Sequence, residues 1–221
     1  DYDALATEDQ RAVTGVVVNV AKAMAAYVRQ LRCGPSRFDA WLDGEGQGTE
    51  LDASERRGAS LFVGRAGCVR CHSGSNFTDQ RFHNVGLSPA TVAVAFVDTN
   101  DQGASKGIAD ALQDPLSTTG EFSDGDRQAL PASAGPELVG AFRTPTLRCI
   151  ANQPSFMHTG QMKTLSQVVA FHDRGGDPAG DYPGQNELMP LGLTATERED
   201  LARFLGTLQG DGPPRELLGA P

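Results

Sequence analysis

The stretch AGCVRCHSG, residues 66–74, constrains this chain more than any other feature. It places Cys68, Cys71 and His72 in the C-x-x-C-H spacing that marks covalent attachment of a c-type haem. Two thiols three positions apart can reach two vinyl groups on one edge of a porphyrin, and the adjacent histidine then lies beneath the iron as an axial ligand. The motif therefore predicts one covalent haem c with His72 as an iron ligand.

Two other kinds of site use a closely spaced cysteine pair. A zinc site would need a second ligand pair at short spacing, but the other cysteines, Cys33 and Cys149, lie 35 residues before Cys68 and 78 residues after Cys71. A thioredoxin-like redox pair would have an open strand-to-helix context without the trailing histidine. Haem attachment is favoured over both.

Once Cys68 and Cys71 are bound to haem, Cys33 and Cys149 can pair only with each other. Haem is attached to such motifs outside the bacterial cytoplasm, where disulfides also persist. We predict a Cys33–Cys149 disulfide, with two separately buried free thiols as the alternative. The same reasoning predicts a periplasmic or otherwise extracytoplasmic location.

The charge of the chain bears on its partners. The 221 residues carry a net charge of −9 and contain no run of Lys or Arg, which argues against nucleic acid and anionic membranes. A basic electron-transfer partner suits this charge better. The most apolar run, residues 13–28, contains Asn19 and Lys22. It is interpreted as a buried amphipathic helix, and no membrane insertion is expected.

Four helices are predicted from cap residues and apolar periodicity. The first runs from a capping box at Thr7 to about Arg32, and the second from Asp52 into the haem motif. The third begins at Thr164 and stops at Gly175-Gly176, and the fourth begins at Thr194 and ends before Gly210. The class is therefore mainly α.

The segment between Ser73 and Thr164 is rich in Gly, Pro, Asp and Ser, and only residues 91–98 suggest a short strand. Such a long irregular stretch is unusual, but a haem can order loops that could not bury one another. We predict a cytochrome c-like haem domain with long irregular loops wrapped around the haem. The expected divisions are an N-terminal helix and linker (1–50) packing on the haem domain, a c-type cytochrome domain (51–210) and a C-terminal extension (211–221).

The second axial ligand is the main open question, because it decides whether small molecules can reach the iron. His172 lies four residues after Val168 and three after Val169, on the apolar stripe of the third helix. An imidazole on that stripe needs a hydrogen bond or a metal. Met157 is the competing ligand, although methionine more often fills a core. Periodicity narrows the choice of the second ligand to His172 or Met157.

His83 and His158 lie in loops and could bond haem propionates or backbone.

Several longer stretches resemble one known family. These are ERRGASLFVGRAGCVRCHSGSNFTDQRFHNVG, FRTPTLR, PSFMHTGQMKTLSQVVAFHDRGG and PLGLTATEREDLARFLGTL. Together, and in this order, they resemble the C-terminal haem domain of the bacterial di-haem cytochrome c peroxidases and of the related maturation enzymes (MauG) that oxidise tryptophans in methylamine dehydrogenase. The resemblance runs from about Arg11 to Gly210.

The resemblance has consequences for the site residues. In the family, the far-side ligand of this haem falls fourteen residues after the histidine of the MHxG element, which here is His158, and that position is His172. The resemblance therefore selects a bis-histidine haem, His72 and His172, over Met157, and it makes Arg143 and His158 candidate haem-binding residues. It also favours the Cys33–Cys149 disulfide, because both cysteines stand in turns where a cysteine is unusual.

Family members carry two haems, whereas this chain has a single C-x-x-C-H. The resemblance implies an electron-transfer domain of a periplasmic di-haem peroxidase-like oxidoreductase. It would relay electrons to or from a second, peroxide-reactive haem that is absent from this chain. The expected partner is an N-terminal haem domain or another redox protein, and this chain alone would only transfer electrons. The alternative is a stand-alone mono-haem electron carrier without enzyme activity.

Overall fold

A computed structural model describes residues 1–44, 51–89, 101–118, 120–125 and 131–219. These residues are mainly helical, as predicted, and the suggested strand at 91–98 lies outside them. The helices are α1 (Thr7–Val28), α2 (Arg37–Asp43), α3 (Ala53–Val63), α4 (Ala104–Gln113), α5 (Leu165–Asp173) and α6 (Ala195–Gly206). Strands β1 (Phe82–His83) and β2 (Phe142–Arg143) form an antiparallel pair with Phe82 opposite Arg143.

The chain divides into two compact units. The first contains residues 1–32, 108–133 and 212–221, and the second contains residues 33–107 and 134–211. The second unit holds the haem motif and helices α2, α3, α5 and α6. The sequence-based divisions after residues 50 and 210 stay predictions.

Helix starts in the second unit follow the capping rule closely. Asp52, Thr164 and Thr194 each accept a hydrogen bond from the backbone three residues on, and the side chain at that third position returns one to the cap. These reciprocal bonds satisfy amide groups that have no partner inside a helix, and the three predicted starts are confirmed. Ser36 and Asp39 form a fourth capping box, which starts the short helix α2 that the sequence analysis did not identify.

Helix α1 departs from the prediction at both ends. Its N-cap is Ala6, which makes no side-chain bond, so the capping box proposed at Thr7 is wrong. The side-chain amide of Gln10, which the box would require, instead donates to the Tyr2 carbonyl at 3.1 Å. The helix also ends at Val28, four residues before the predicted Arg32.

The apolar face of α1 is exposed, so the prediction of a buried helix is wrong. No residue of α1 is buried, and Val16 and Met24 are each 64% exposed. Within the first unit, polar contacts hold the helix instead, because Lys22 donates to the Phe122 carbonyl at 2.8 Å and Arg11 pairs with Glu121 at 3.2 Å. By length and composition alone α1 could cross a membrane, a criterion that signal sequences and core helices also meet.

The core of the second unit forms where α3 crosses α6. The two helices approach so closely that a Cβ on Gly58 would lie 2.1 Å from the Asp200 carbonyl oxygen, so only glycine fits at this crossing. The rings of Phe62 and Phe204 lie 5.3 Å apart between the helices. Arg57 also pairs with the buried Asp200 at 2.7 Å. This packing fixes the end of α3, from which the haem motif emerges.

Helix α4 was not identified from the sequence, because it lies inside the stretch interpreted as irregular. Its buried residues are Ala104 and Ile108, spaced four apart on one helical face. With Ala111 and Leu112 they give an apolar pattern at helical spacing, a local signal that the interpretation of this stretch as irregular left unused.

The structure contains the predicted Cys33–Cys149 disulfide. It joins the turn before α2 to the loop that follows β2, across a sequence separation of 116 residues. The Cys149 amide also donates to the Leu208 carbonyl at 3.1 Å. The cross-link therefore ties a distant part of the chain to the end of the α6 region.

Replacing both disulfide cysteines, Cys33→Ser with Cys149→Ser, should lower the free energy of unfolding by about 2–5 kcal/mol, because the unfolded chain regains the freedom of a long closed loop. Urea unfolding monitored by far-UV circular dichroism measures the change. Thiol labelling of the denatured wild-type chain without reductant should find neither Cys33 nor Cys149, and labelling of both would contradict the pairing.

Candidate haem site

The three residues of the haem motif occupy a single tight turn. Gly67 has φ of +65° and leads from the end of α3 into a short 3₁₀ helix, Cys68–Arg70. The His72 amide then donates to the Cys68 carbonyl at 2.9 Å. A left-handed conformation is easily adopted by glycine, so Gly67 reverses the chain at no steric cost. The turn places both thiols and the histidine in one local unit, as haem attachment requires.

Both motif thiols are held in the protonated form. Burial raises the pKa of Cys68 to about 11. Burial also raises the pKa of Cys71, and the carboxylates of Asp79 and Glu187 add to the effect. A catalytic redox thiol has a lowered pKa, so this environment argues against a thioredoxin-like pair. Zinc is disfavoured as well, because Cys33 and Cys149 are joined to each other.

The orientation of His72 is set by a backbone carbonyl. Its Nδ1 lies 2.9 Å from the Phe77 carbonyl oxygen, which accepts the Nδ1 proton and leaves Nε2 as the nitrogen that can bind iron. Burial lowers the pKa of His72 and His172 lowers it further, and these effects outweigh the Phe77 and Pro145 carbonyls and the Asp79 charge, which raise it. The neutral imidazole is the form that binds a metal.

His172 has the same arrangement on a different element. Its Nδ1 lies 2.9 Å from the carbonyl oxygen of Val168, one turn earlier in α5. Burial lowers the pKa of His172, so this ring is also neutral with Nε2 available. The next residue, Asp173, accepts hydrogen bonds from the Leu193 amide at 2.7 Å and from Arg198 at 2.9 Å, which fixes the end of α5 against the start of α6.

The two histidines are a hundred residues apart in sequence, and His172 nevertheless lowers the pKa of His72 electrostatically. Two neutral imidazoles with Nε2 available, beside two protonated thiols in one turn, are the donor set that a covalent haem with two axial histidines needs. The residues present therefore fit the group.

The other sequence-predicted residues have different surroundings. Met157 occupies a tight turn with φ of +69°. The ring of His158 stacks on Phe142 at 3.6 Å with an 11° angle between the planes. Arg143 is exposed in β2 and donates to the Gln80 side chain. The haem-binding roles of His158 and Arg143, and the bond to propionates or backbone considered for His83 and His158, stay predictions.

A charged group that was not predicted from the sequence lies beside the motif. Both ring nitrogens of His83 are taken by carboxylates, Nε2 by Asp79 at 2.9 Å and Nδ1 by Glu187 at 2.7 Å. Burial alone would lower the pKa of His83, but these two bonds outweigh it and raise the pKa. Ligand atoms of Cys71, Asp79 and His83 lie within 4.8 Å of one another. Because Glu187 lies far from Asp79 in sequence, no local pattern could have identified this group.

Comparison with known proteins supports the same chemistry. No family model matches the chain. It is 34% identical to the cytochrome-c peroxidase IdrP1 of Denitromonas iodatirespirans over 209 residues, covering 86% of this chain and 50% of that protein. It is 31% identical to the methylamine utilization protein MauG of Methylorubrum extorquens over 195 residues, covering 87% of this chain and 44% of that protein.

Two solved structures resemble the fold. A MauG-like protein associated with microbial copper homeostasis superposes with a TM-score of 0.53 at 29% identity, covering 84% of this chain and 50% of that one. A variant of the diheme peroxidase BthA from Burkholderia thailandensis gives a TM-score of 0.58 at 25% identity, covering 79% of this chain and 45% of that one. These neighbours agree with the predicted cytochrome c-like, mainly α fold.

The chain thus spans about half the length of the curated relatives it matches. Over 86% of its own length it is homologous to members of the di-haem cytochrome c peroxidase and MauG family, which supports a haem-based redox role.

Proposed function

We propose that this chain is the electron-transfer domain of a di-haem peroxidase-like oxidoreductase and holds one covalent haem c. The observation that carries the proposal is the pair of neutral imidazoles, His72 and His172, each with Nδ1 bonded to a backbone carbonyl and Nε2 available. When bound, the haem supplies a one-electron iron couple at this site.

Four residues of the chain would hold the haem. Cys68 and Cys71 would anchor it through two thioether bonds formed from their protonated thiols, and His72 would bind the iron from the same side. His172 would be the second ligand of the iron and would keep water and peroxide from it. With two histidines the group would supply a potential below that of a His/Met site, because a thioether ligand raises the potential.

The closed site favours electron exchange over peroxide cleavage within this chain. Peroxide reduction would then take place at a second haem outside it, with electrons relayed to or from that centre. The names of the relatives, cytochrome-c peroxidase and MauG, support this assignment. The competing proposal is a stand-alone mono-haem carrier. A second C-x-x-C-H in the same gene product favours the relay, and its absence favours the carrier.

The partner in the relay is proposed to be a second haem domain that packs on the apolar face of α1. That face comprises Val13, Val16, Val17, Val20, Met24, Tyr27 and Val28, all exposed. An exposed apolar stripe of this length marks an interaction site. The match covers about half of each curated relative, so each relative contains a further segment about as long as this chain. No nucleic acid or membrane insertion is proposed.

A periplasmic or otherwise extracytoplasmic location is proposed together with this function. The Cys33–Cys149 disulfide supports this location, since disulfides persist in oxidising compartments. The C-x-x-C-H motif supports it too, because haem is attached to such motifs outside the bacterial cytoplasm.

Replacing the proposed far-side ligand, His172→Ala, should open one coordination position and convert a low-spin visible spectrum into a high-spin one. It should also let peroxide alter the spectrum, which is expected to stay unchanged in the wild-type chain. Visible and electron paramagnetic resonance spectra of the ferric protein measure both effects. Met157→Ala is the matched control and should leave the ligation unchanged. A low-spin spectrum retained in His172→Ala would place the ligand elsewhere.

The proposed docking face can be tested by adding one charge to it. Val20→Asp should leave the free energy of unfolding of the 221-residue chain unchanged within about 0.5 kcal/mol, because Val20 is exposed there. In the gene product that carries both haem domains, the same change would bury a charge and should lower the thermal midpoint. Asn19→Asp adds the same charge one position away, off the apolar face. Equal behaviour of the two variants in the longer protein would contradict docking through α1.

A further inference from the structure

The carbonyl that orients His72 belongs to a residue in a strained conformation. Phe77 has φ of +50°, in the left-handed region, where a bulky side chain is a genuine outlier. Its carbonyl oxygen is nevertheless the group that accepts the Nδ1 proton of His72. Strain of this kind persists only where the surrounding structure enforces it. The contacts that enforce it at Phe77 therefore control the orientation of His72.

The ring of Phe77 supplies one set of contacts. It is 8% exposed and meets Phe38 and Phe62 edge-on at centroid distances of 5.5 and 5.9 Å. These contacts hold the side chain in the core that α3 and α6 build. They do not fix the peptide plane whose oxygen faces His72, because a ring in one pocket is compatible with more than one backbone conformation.

The backbone of this loop is held by two bonds within the loop, from the Phe77 amide to the Gly74 carbonyl at 3.0 Å and from the Thr78 amide to the Ser73 carbonyl at 2.9 Å. Arg148 adds side-chain contacts to it. Its Nε donates to the Ser75 carbonyl at 2.8 Å, and its guanidinium carbon lies 5.2 Å from the centroid of the Phe77 ring, a cation–π distance. Nearby, Thr146 Oγ1 donates to the Asn76 carbonyl at 2.6 Å. The segment after β2 therefore holds two consecutive peptides immediately before Phe77, and the Arg148 charge covers the ring itself.

Arg148 is itself fixed by an ion pair. Its Nη2 donates to Asp39 Oδ1 at 2.8 Å, and its Nη1 contacts the other carboxylate oxygen. This pairing with Arg148, together with hydrogen bonds from Ser36, lowers the pKa of Asp39 to about 2, so the carboxylate stays ionised at any pH near neutrality. The side chains of Arg148 and Asp39 are only 16% and 23% exposed, so solvent screens the pair weakly.

We propose that Arg148 is a positioning residue that keeps the Phe77 carbonyl bonded to His72 and thereby lowers the reduction potential of the haem. A hydrogen bond from Nδ1 to a carbonyl raises the basicity of a histidine ligand. A more basic ligand stabilises ferric over ferrous iron, so loosening the loop raises the potential. This inference rests on the proposed function, in which His72 binds the iron.

The test is a spectroelectrochemical titration of the haem-containing chain. Arg148→Gln should raise the midpoint potential by about 59 mV, which corresponds to a tenfold increase in the ferrous-to-ferric ratio for one electron. Arg148→Lys keeps the charge but not the planar fork, and its potential should lie between those of Arg148→Gln and the wild type. A purely structural role would lower the thermal midpoint without moving the potential.

Two further variants make the outcome decisive. Arg203→Gln removes a comparable arginine–carboxylate pair, that with Asp52 at 2.6 Å on the exposed surface, and should leave the potential unchanged. Thr146→Val removes the bond to the Asn76 carbonyl and the bond that Thr146 Oγ1 accepts from the Arg148 amide at 3.1 Å. It keeps the Arg148 side chain, should raise the ferrous-to-ferric ratio about threefold, and serves as the test where Arg148→Gln does not fold.

Three results would overturn the inference. An unmoved potential in a folded Arg148→Gln chain, or in Thr146→Val, would overturn it alone and leave the proposed function standing. An equal shift in Arg203→Gln would do the same. A wild-type chain without a low-spin haem would overturn both the inference and the proposed function.

Discussion

The site depends on one repeated interaction, the hydrogen bond from an imidazole Nδ1 to a backbone carbonyl. His72 makes it with Phe77 and His172 makes it with Val168, each at 2.9 Å. A histidine that is free to rotate, or that carries its proton on the wrong nitrogen, is a poor metal ligand. The carbonyls orient both rings, and burial, which outweighs the effect of the carbonyl bonds, lowers the pKa of each.

The two carbonyls have very different origins. The Val168 carbonyl is supplied by regular helix, since it lies one turn before His172 in α5. The Phe77 carbonyl is supplied by a loop residue with a left-handed backbone, which has to be enforced by the ring contacts and by Arg148. His172, the proposed far-side ligand, is thus placed by secondary structure, and His72, the proposed near-side ligand, by tertiary contacts that reach back to Asp39 in α2.

The charged groups of the second unit are arranged mainly to join elements. Asp173 links α5 to the start of α6, Asp200 links α6 to α3, and Asp39 links α2 to the loop after β2. His83 with its two carboxylates lies beside Cys71. In contrast, the first unit presents the apolar face of α1 to solvent, which is why we assign the partner to that surface.

The sequence by itself determined the haem motif, the mainly helical class, three of the helix starts and the choice of His172 or Met157 as the second ligand. These features are local, because caps, periodicity and C-x-x-C-H spacing each depend on residues that lie close together in sequence. The family resemblance then selected His172. Only the tertiary structure decided that α1 is exposed, that α2 and α4 exist, and that His83 lies between Asp79 and Glu187. The exposure of α1 depends on what covers an apolar face, and the His83 group depends on residues far apart in sequence. Helices α2 and α4 carry local signals, a capping box at Ser36 and apolar spacing from Ala104, that the sequence-based interpretation did not use.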